Sequence, residues 1–196
     1  MFLMALIESY MLPLGTQSPS FSLPNVINNQ IKELEIIRGK NGTLIIFMCN
    51  HCPYVIHLLE GIIKTAIDFS KKGIATVAIS SNSIETHPQD GPKEMKKLAL
   101  LKRFSFPYLY DESQEVAKNF QAACTPDFYL FDDQLKLYYR GRYDDSRPGN
   151  KVPVNGNDLH LAAEFMLQKV SQSGIQLPSL GCSIKWHPSN NNEKGN

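Results

Sequence analysis

A buried strand, a helix and a second buried strand follow one another with very short joints. TLIIFM (43–48) and IATVAIS (74–80) are continuous apolar runs rich in β-branched residues, which is typical of strands covered on both faces. Between them, residues 53–73 repeat apolar side chains at helical spacing, with Pro53 suited to a first turn and Gly73 to a C-terminal stop. This order predicts a βαβ unit with parallel strands and a right-handed crossover.

The second half of the chain predicts more helices and an antiparallel hairpin. Its predicted helices cover 92–104, 112–122 and 157–170, and its predicted strands are FPYLYD (106–111), 127–132 and 135–143. The last two strands form a hairpin that turns at Asp133-Gln134, whereas residues 16–30 predict an irregular lead-in with at most a short hairpin. Together these patterns predict an α/β fold with a central mixed sheet and helices on both faces.

Charge and hydropathy argue against nucleic-acid-binding, secreted and membrane-spanning classes of protein. The chain has 196 residues and a net charge of +1, which gives no electrostatic reason to expect nucleic acid or an anionic membrane as a partner. The apolar opening MFLMALIESYMLPLG lacks a basic n-region and a small-residue cleavage site, and Glu8 interrupts it. No apolar run reaches the roughly 18–20 residues that a membrane span needs. We therefore expect a cytoplasmic protein.

Two cysteines lie where the chain leaves its first buried strand, in the stretch FMCNHCPYV. Cys49 and Cys52 could form a redox pair, half of a metal site, or two small buried residues. Only a thiolate exchanges disulfides, and a helix N-terminus such as the one expected at Pro53 lowers a thiol pKa. His51 could stabilise the thiolate further when protonated. A metal site needs two more ligands, and Cys124, Cys182 and His57 are isolated in the sequence. The redox pair is the favoured interpretation.

A proline downstream supports the redox interpretation. In ACTPDFYLFD, Pro126 opens a buried strand, where proline is tolerated only at the first position or on an edge. Several motifs follow one another in order, namely LPLGTQSPSFSLP, FMCNHCPYV, YDESQEVAKNF, ACTPDFYLFD, GRYDDSRPGN and GCSIKW. With this series the chain resembles the thioredoxin superfamily and, within it, the redoxin or AhpC/TSA peroxiredoxin-like branch, from about residue 12 to residue 186.

This resemblance implies a thioredoxin-like fold with an N-terminal hairpin and one inserted helix at 92–104. It implies a domain over 12–172 and a partly docked tail over 173–196. It also implies a dithiol at Cys49 and Cys52, and a cis peptide bond between Thr125 and Pro126 whose backbone pairs with a bound substrate as an added strand.

The chain departs from the family pattern around the thiols. In a thioredoxin, five residues separate a strand Phe from the nucleophilic Cys, and counting from Phe47 leads to Cys52 rather than Cys49. Val55 then stands at the place of the usual resolving thiol, and Ile46 at the place of the usual buried acid. A peroxiredoxin needs Pro seven and Thr three residues before its peroxidatic Cys, and neither thiol has them. For Cys52 those positions hold Ile45 and Cys49, and for Cys49 they hold Gly42 and Ile46.

Other residues carry two interpretations each. Cys124 lies beside the expected docking surface but fits equally a small buried residue. Cys182 could be a resolving thiol on the tail, or the tail could simply dock through Ile184 and Trp186. The turn of Asp144, Asp145, Ser146 and Arg147 is expected to fix its loop, and His57 to be a packed or solvated helix residue.

The sequence thus predicts a thiol-disulfide oxidoreductase with Cys52 as the attacking thiolate and Cys49 as the resolving thiol. Thr125 and Pro126 form its substrate platform, and neither metal nor organic cofactor is implied. Its expected partners are protein disulfides or a thioredoxin or glutathione reducing system. Two alternatives stay open: a peroxiredoxin-like thiol peroxidase, in which Cys49 or Cys182 resolves a sulfenic acid, and a non-enzymatic binding module of the same fold.

Overall fold

The computed structural model of the protein describes residues 6–171 and 176–188. Its strands are β1 (Leu6–Glu8), β2 (Ser22–Pro24), β3 (Ile31–Glu33), β4 (Gly42–Phe47), β5 (Ile74–Ser80), β6 (Tyr108–Tyr110), β7 (Cys124–Thr125), β8 (Asp127–Phe131), β9 (Leu137–Gly141) and β10 (Leu180–Ser183). Its helices are α1 (Leu34–Ile37), α2 (Pro53–Lys71), α3 (Pro92–Leu101), α4 (Glu115–Asn119) and α5 (Asn157–Leu167). No helix within the described ranges is both long and apolar enough to cross a membrane.

A five-stranded mixed sheet forms the centre, in the order β6-β5-β4-β8-β9. Strand β4 pairs in parallel with β5 and β5 with β6, while β8 runs antiparallel to both β4 and β9. Every residue of β4 is buried, as its unbroken apolar run predicts. The predicted βαβ unit and the mixed sheet are both confirmed.

Alternation along the central strands divides the core between the two faces of the sheet. In β4, Leu44 and Ile46 face one cluster, which contains residues of α2, α3 and α5. Ile45 and Phe47 face the other, which contains Phe120, Ala117 of α4 and Phe21 near the N-terminal hairpin β2–β3. Helices therefore cover both faces, and the predicted thioredoxin-like class is confirmed.

Helix α2 begins and ends close to its predicted bounds. Pro53 occupies the first turn and Cys52 the N-cap position. The helix ends at Lys71, and Gly73 follows in the left-handed region at φ +74°, a conformation that glycine adopts without the cost of a Cβ clash. The two thiols thus lie between the carboxyl end of β4 and the first turn of α2.

The other helices end earlier than predicted. Helix α3 stops at Leu101 instead of 104, α4 covers only Glu115–Asn119 of the predicted 112–122, and α5 stops at Leu167 instead of 170. Each is followed by a non-glycine residue in the left-handed region: Arg103 (φ 54°), Gln121 (φ 51°) and Lys169 (φ 56°). Because these residues are not Gly or Asn, nothing in the local sequence signals the stops.

A second, three-stranded sheet lies beside the thiols, in the order β1-β10-β7. Its middle strand comes from the C-terminal part of the chain and runs antiparallel to both neighbours. The sequence predicts only partial docking of this tail, with Ile184 and Trp186 as anchors. Ile184 is buried, whereas Trp186 is 43% exposed. The division into a 12–172 domain and a tail stays a prediction.

Candidate functional site

The site is built around Cys52, which is completely buried at the N-terminus of α2. Cys49, on the loop between β4 and α2, is 1% exposed. Both are free cysteines in this structure. The structure therefore places the pair at the carboxyl end of the first buried strand, as the sequence predicts.

The Thr125–Pro126 peptide bond is cis, as the resemblance implies. Thr125 contacts both sulfur atoms. The Cys52 thiol donates to the Thr125 carbonyl oxygen at 3.1 Å, and the Thr125 hydroxyl lies 3.5 Å from Cys49 Sγ. The thiols and this loop come together because β8, which follows Pro126, pairs with β4.

Cys182 on β10 makes the shortest sulfur contact in the site. Its Sγ lies 2.9 Å from Cys52 Sγ, although the two residues are 130 positions apart in the chain. Cys182 is only 3% exposed. The sequence offers this cysteine as a possible resolving thiol on the tail, but no local pattern reveals that the tail returns to Cys52.

The environment of Cys52 favours its thiolate. Hydrogen bonding from Cys182 contributes most to a lowered pKa of Cys52, and Cys49 adds to it, while burial acts in the opposite direction. The Val55 amide in the first turn of α2 lowers this pKa as well. The shared proton accordingly stays on Cys182, whose pKa is raised, first by that hydrogen bond and then by burial.

Cys49 is held as a thiol. Its hydrogen bond to Cys52 is the largest cause of a pKa well above the ordinary value, followed by burial and the nearby negative charge of Asp90. The Thr125 hydroxyl acts in the opposite direction. Within this cluster, Cys52 is therefore the thiol most easily deprotonated, which is the order that the sequence predicts.

His51 interacts with an acid that the sequence does not single out. Its Nδ1 lies 2.6 Å from Asp90 Oδ2 and 3.8 Å from Cys49 Sγ, so the nearer thiol is Cys49 rather than Cys52. Burial would raise the pKa of Asp90, but hydrogen bonds from His51 and Asn82 keep it below its ordinary value. Asp90 also accepts from the Asn50 amide at 2.8 Å and so fixes the loop between the cysteines. Asp90 lies in the 81–91 loop, where the many turn residues give no sequence signal that this acid contacts His51.

Among the described residues, Cys49, His51 and Asp90 form a group that could hold a metal ion, because their donor atoms lie within 4.8 Å of one another. Two ligands about 2 Å from one tetrahedral zinc ion would be separated by roughly 3.3 Å. The 2.6 Å between His51 Nδ1 and Asp90 Oδ2 is instead the length of a hydrogen bond. The geometry therefore fits a hydrogen-bonded pair better than two ligands of one ion.

Cys124 lies beside Thr125 but points into the protein and is completely buried. Burial and the neighbouring Asp127 raise its pKa. Asp127 is a buried acid that follows Pro126, pairs with Arg140 at 3.4 Å and has its pKa raised by burial to about 7. The sequence has Ile46 where the usual buried acid would stand. The structure places Asp127 on the adjacent strand instead, where its charge raises the pKa of Cys124.

A cavity of about 190 Å³ adjoins Pro126 on the side of α2. Among the residues that line it are His57, Arg147 and Leu180. The predicted charged turn fixes its own loop, since Asp144 accepts hydrogen bonds from the backbone of Ser146, Asn155 and Gly156. The Arg147 guanidinium lies 3.9 Å from the Asp145 carboxylate, and Arg147 borders the cavity.

The docking edge predicted at Thr125 and Pro126 is not open in the structure. Thr125 already pairs with Cys182 of β10, in antiparallel register. The sequence could not indicate this, because the pairing joins residues far apart in the chain. A substrate strand could use this edge only after β10 has left it.

Comparisons with known proteins agree with the fold. The family model described as AhpC/TSA matches residues 14–140. A crystal structure of an uncharacterized conserved protein from Geobacillus kaustophilus is 49% identical, covers 96% of this chain and 100% of its own, and superimposes with a TM-score of 0.93. A hypothetical protein from Sinorhizobium meliloti is 38% identical over 92% of this chain and 98% of its own, with a TM-score of 0.89.

A more distant structure is the thioredoxin domain of a thiol-disulfide oxidoreductase from Bacteroides vulgatus. It is 18% identical over 80% of this chain and 99% of its own, with a TM-score of 0.62, and at this identity the likeness concerns the fold alone. No curated protein matches the chain.

Proposed function

Because the chain belongs to the AhpC/TSA family of thioredoxin-like proteins, we propose that it is a thiol-disulfide oxidoreductase in which Cys52 attacks a substrate disulfide. The observation that carries this proposal is the position of Cys52 at the N-terminus of α2, with its Sγ 2.9 Å from Cys182 Sγ, and the lowered pKa of Cys52 agrees with it. A thiolate and a partner thiol are the groups that disulfide exchange requires of the protein.

The cycle has two exchange steps. The Cys52 thiolate attacks one sulfur of the substrate disulfide, and the other substrate sulfur leaves as a thiolate. A second thiol of the protein then attacks Cys52 Sγ and releases the reduced substrate, so that the protein carries the disulfide. Cys49 is the resolving thiol that the sequence predicts, and Cys182 also lies within reach. A thioredoxin or glutathione system would restore the dithiol.

The peroxidase alternative has less support from the hydrogen bonds around Cys52. Fast peroxide reduction needs positioned donors that stabilise the developing charge on oxygen. The Thr125 side chain lowers the pKa of Cys52 and could be one such donor. Arg147, which could supply a positive charge, borders the neighbouring cavity instead and forms an ion pair with Asp145.

Two assays on one reduced preparation separate these functions. We expect the wild type to reduce the disulfides of insulin, and Cys52→Ser to abolish this activity. Cys124→Ser, which alters a buried thiol outside the site, is the matched control and should retain it. In stopped flow, hydrogen peroxide should oxidise the wild type at roughly the rate of a free thiolate.

Disulfide reduction that persists in Cys52→Ser would disprove the proposal. A peroxide rate several orders of magnitude above that of a small thiolate, lost in Cys52→Ser, would make the protein a peroxidase. Neither activity in the wild type would favour the binding module.

A further inference from the structure

Strand β10 occupies the edge that a substrate strand would need. Cys182 pairs with Thr125 and Ser183 with Cys124 on one side, and Leu6 pairs with Cys182 on the other. A substrate chain that added a strand at this edge would place one of its residues opposite Thr125, beside the Cys52 sulfur. Cys182 holds that place within the same chain.

Gly181 lets β10 approach the Thr125–Pro126 bond unusually closely. A Cβ atom at Gly181 would lie 2.0 Å from the Thr125 carbonyl oxygen and 2.7 Å from its carbonyl carbon. Any side chain there would push the strand away from the loop. Glycine at position 181 therefore allows β10 to come close enough to bring Cys182 Sγ against Cys52 Sγ.

The chain that follows β10 is firmly attached to the rest of the protein. Ile184 is buried, the Lys185 amide donates to Asn82 Oδ1 at 2.8 Å, and the Ser83 amide donates to the Lys185 carbonyl at 2.7 Å. These contacts return Cys182 to the same position whenever the strand docks. The contact between Cys182 and Cys52 is thus part of the folded structure.

With β10 in place, a substrate disulfide cannot reach the sulfur of Cys52. Cys52 is completely buried and Cys182 is 3% exposed. In-line attack on a disulfide requires the thiolate to touch a substrate sulfur. Reaction with a substrate and the pairing of β10 with Thr125 therefore exclude each other.

We propose that Cys182, rather than Cys49, is the resolving thiol, and that β10 delivers it by returning to the Thr125 edge. This inference rests on the proposed attack of Cys52 on a disulfide. The return of β10 removes the substrate from the edge and places Cys182 Sγ against the mixed disulfide in one movement. Cys49 stays protonated and donates to the Cys52 thiolate.

The resolving step balances as an ordinary exchange. Cys182 loses its proton to solvent, and its thiolate attacks Cys52 Sγ in the mixed disulfide. The bond from Cys52 to the substrate sulfur breaks, and the substrate leaves as a thiolate. Over the two steps the substrate disulfide gains two electrons, and the Cys52 and Cys182 thiols lose them to form one disulfide, which a dithiol reductant later reduces.

Ellman's reagent separates the two steps, because attack and resolution each release thionitrobenzoate. With one molar equivalent of reagent, the reduced wild type should release a first and then a second equivalent of thionitrobenzoate. Cys182→Ser should release only the first, and mass spectrometry should find the adduct retained on Cys52. Cys49→Ser should release both, with a slower first step because it loses a donor to the thiolate.

A further variant tests the role of the strand without altering a thiol. Gly181→Ala should slow the second release much more than the first, because β10 returns to the Thr125 edge less often. Peptide mapping of the oxidised Cys49→Ser protein should find Cys52 linked to Cys182. Cys124→Ser should still release both equivalents, which would exclude Cys124 as the resolving thiol.

The outcomes distinguish this inference from the proposed function. A second release that persists in Cys182→Ser and is lost in Cys49→Ser would overturn the inference and leave the function standing. A first release that is missing in the wild type, or unchanged in Cys52→Ser, would overturn the proposed function itself.

Discussion

Cys52 owes its properties to one group on its own loop and to two groups from distant parts of the chain. Cys49 precedes it on the same loop, Thr125 comes from the loop before β8, and Cys182 comes from β10. Among these, hydrogen bonding from Cys182 contributes most to the lowered pKa. A single residue of the tail thus controls the ionisation of a thiol at the start of α2.

The first prediction at this scale concerns pH. A free thiol ionises near pH 8.5. Because the pKa of Cys52 is lowered, its thiolate absorbance near 240 nm should persist through neutral pH and disappear only in acid. Cys182→Ser replaces the main donor by a serine hydroxyl that must turn toward the sulfur, so the midpoint should move to higher pH.

Ultraviolet titration of the reduced proteins tests this directly. Cys52→Ser identifies the step that belongs to Cys52, since the step should vanish in that variant. Cys124→Ser should titrate like the wild type, because Cys124 is not among the groups that shift the pKa of Cys52. An unchanged midpoint in Cys182→Ser would show that the contact between the two sulfurs does not stabilise the thiolate.

At the scale of elements, β10 depends on its neighbours for its position. It has only four residues and lies between β1 and β7, each of which is also very short. Strands of this length have little stability of their own. Apolar anchoring of the following residues must therefore hold the three-stranded sheet together.

Two tail residues make a matched pair for testing that anchoring. Ile184 is 3% exposed and belongs to the core on one face of the sheet, whereas Trp186 is 43% exposed. Ile184→Ala should lower the free energy of unfolding by about 2–5 kcal/mol, the usual cost of such a core truncation. Trp186→Ala should lower it by less than about 1 kcal/mol.

Urea unfolding of the reduced proteins gives both values. Equal losses in the two variants would mean that the tail docks through Trp186 as well, as the sequence predicts. A loss below about 1 kcal/mol for Ile184→Ala would mean that the tail contributes little to the folded state.

At the scale of the whole molecule, the two possible disulfides differ in the loop that they close. A bond between Cys49 and Cys52 closes a loop of only a few residues, whereas one between Cys52 and Cys182 spans roughly 130 residues. Chain entropy in the unfolded state gives about 2 kcal/mol for the short loop and about 5 kcal/mol for the long one. Oxidation should therefore stabilise the protein strongly if Cys182 is the partner.

Denaturant unfolding of oxidised and reduced protein measures this difference. Oxidised Cys49→Ser should keep the large stabilisation, since it retains Cys52 and Cys182. Oxidised Cys182→Ser should show at most the small one. A small stabilisation in the wild type would indicate that Cys49 and Cys52 form the resting disulfide.

Much of the fold could be predicted because its signals are local. The apolar run of β4, the helical spacing of α2 and the glycine at its end each lie within a few residues of the structure they specify. The predicted ends of α3 and α5 were wrong by about three residues. Arg103 and Lys169 adopt a left-handed conformation that is not expected for these residue types.

By itself, the sequence determined the central mixed sheet, the burial of the strand before the thiols and the position of Cys52 at a helix N-terminus, since hydrophobic period and capping act over short stretches. Only the tertiary structure decided which groups surround that sulfur. Asp90 reaches His51 from another loop, and β10 closes the edge at Thr125 and brings Cys182 within 2.9 Å of Cys52. Strand pairing between distant segments depends on backbone hydrogen bonds, which every residue except proline can donate, so side-chain patterns do not reveal it.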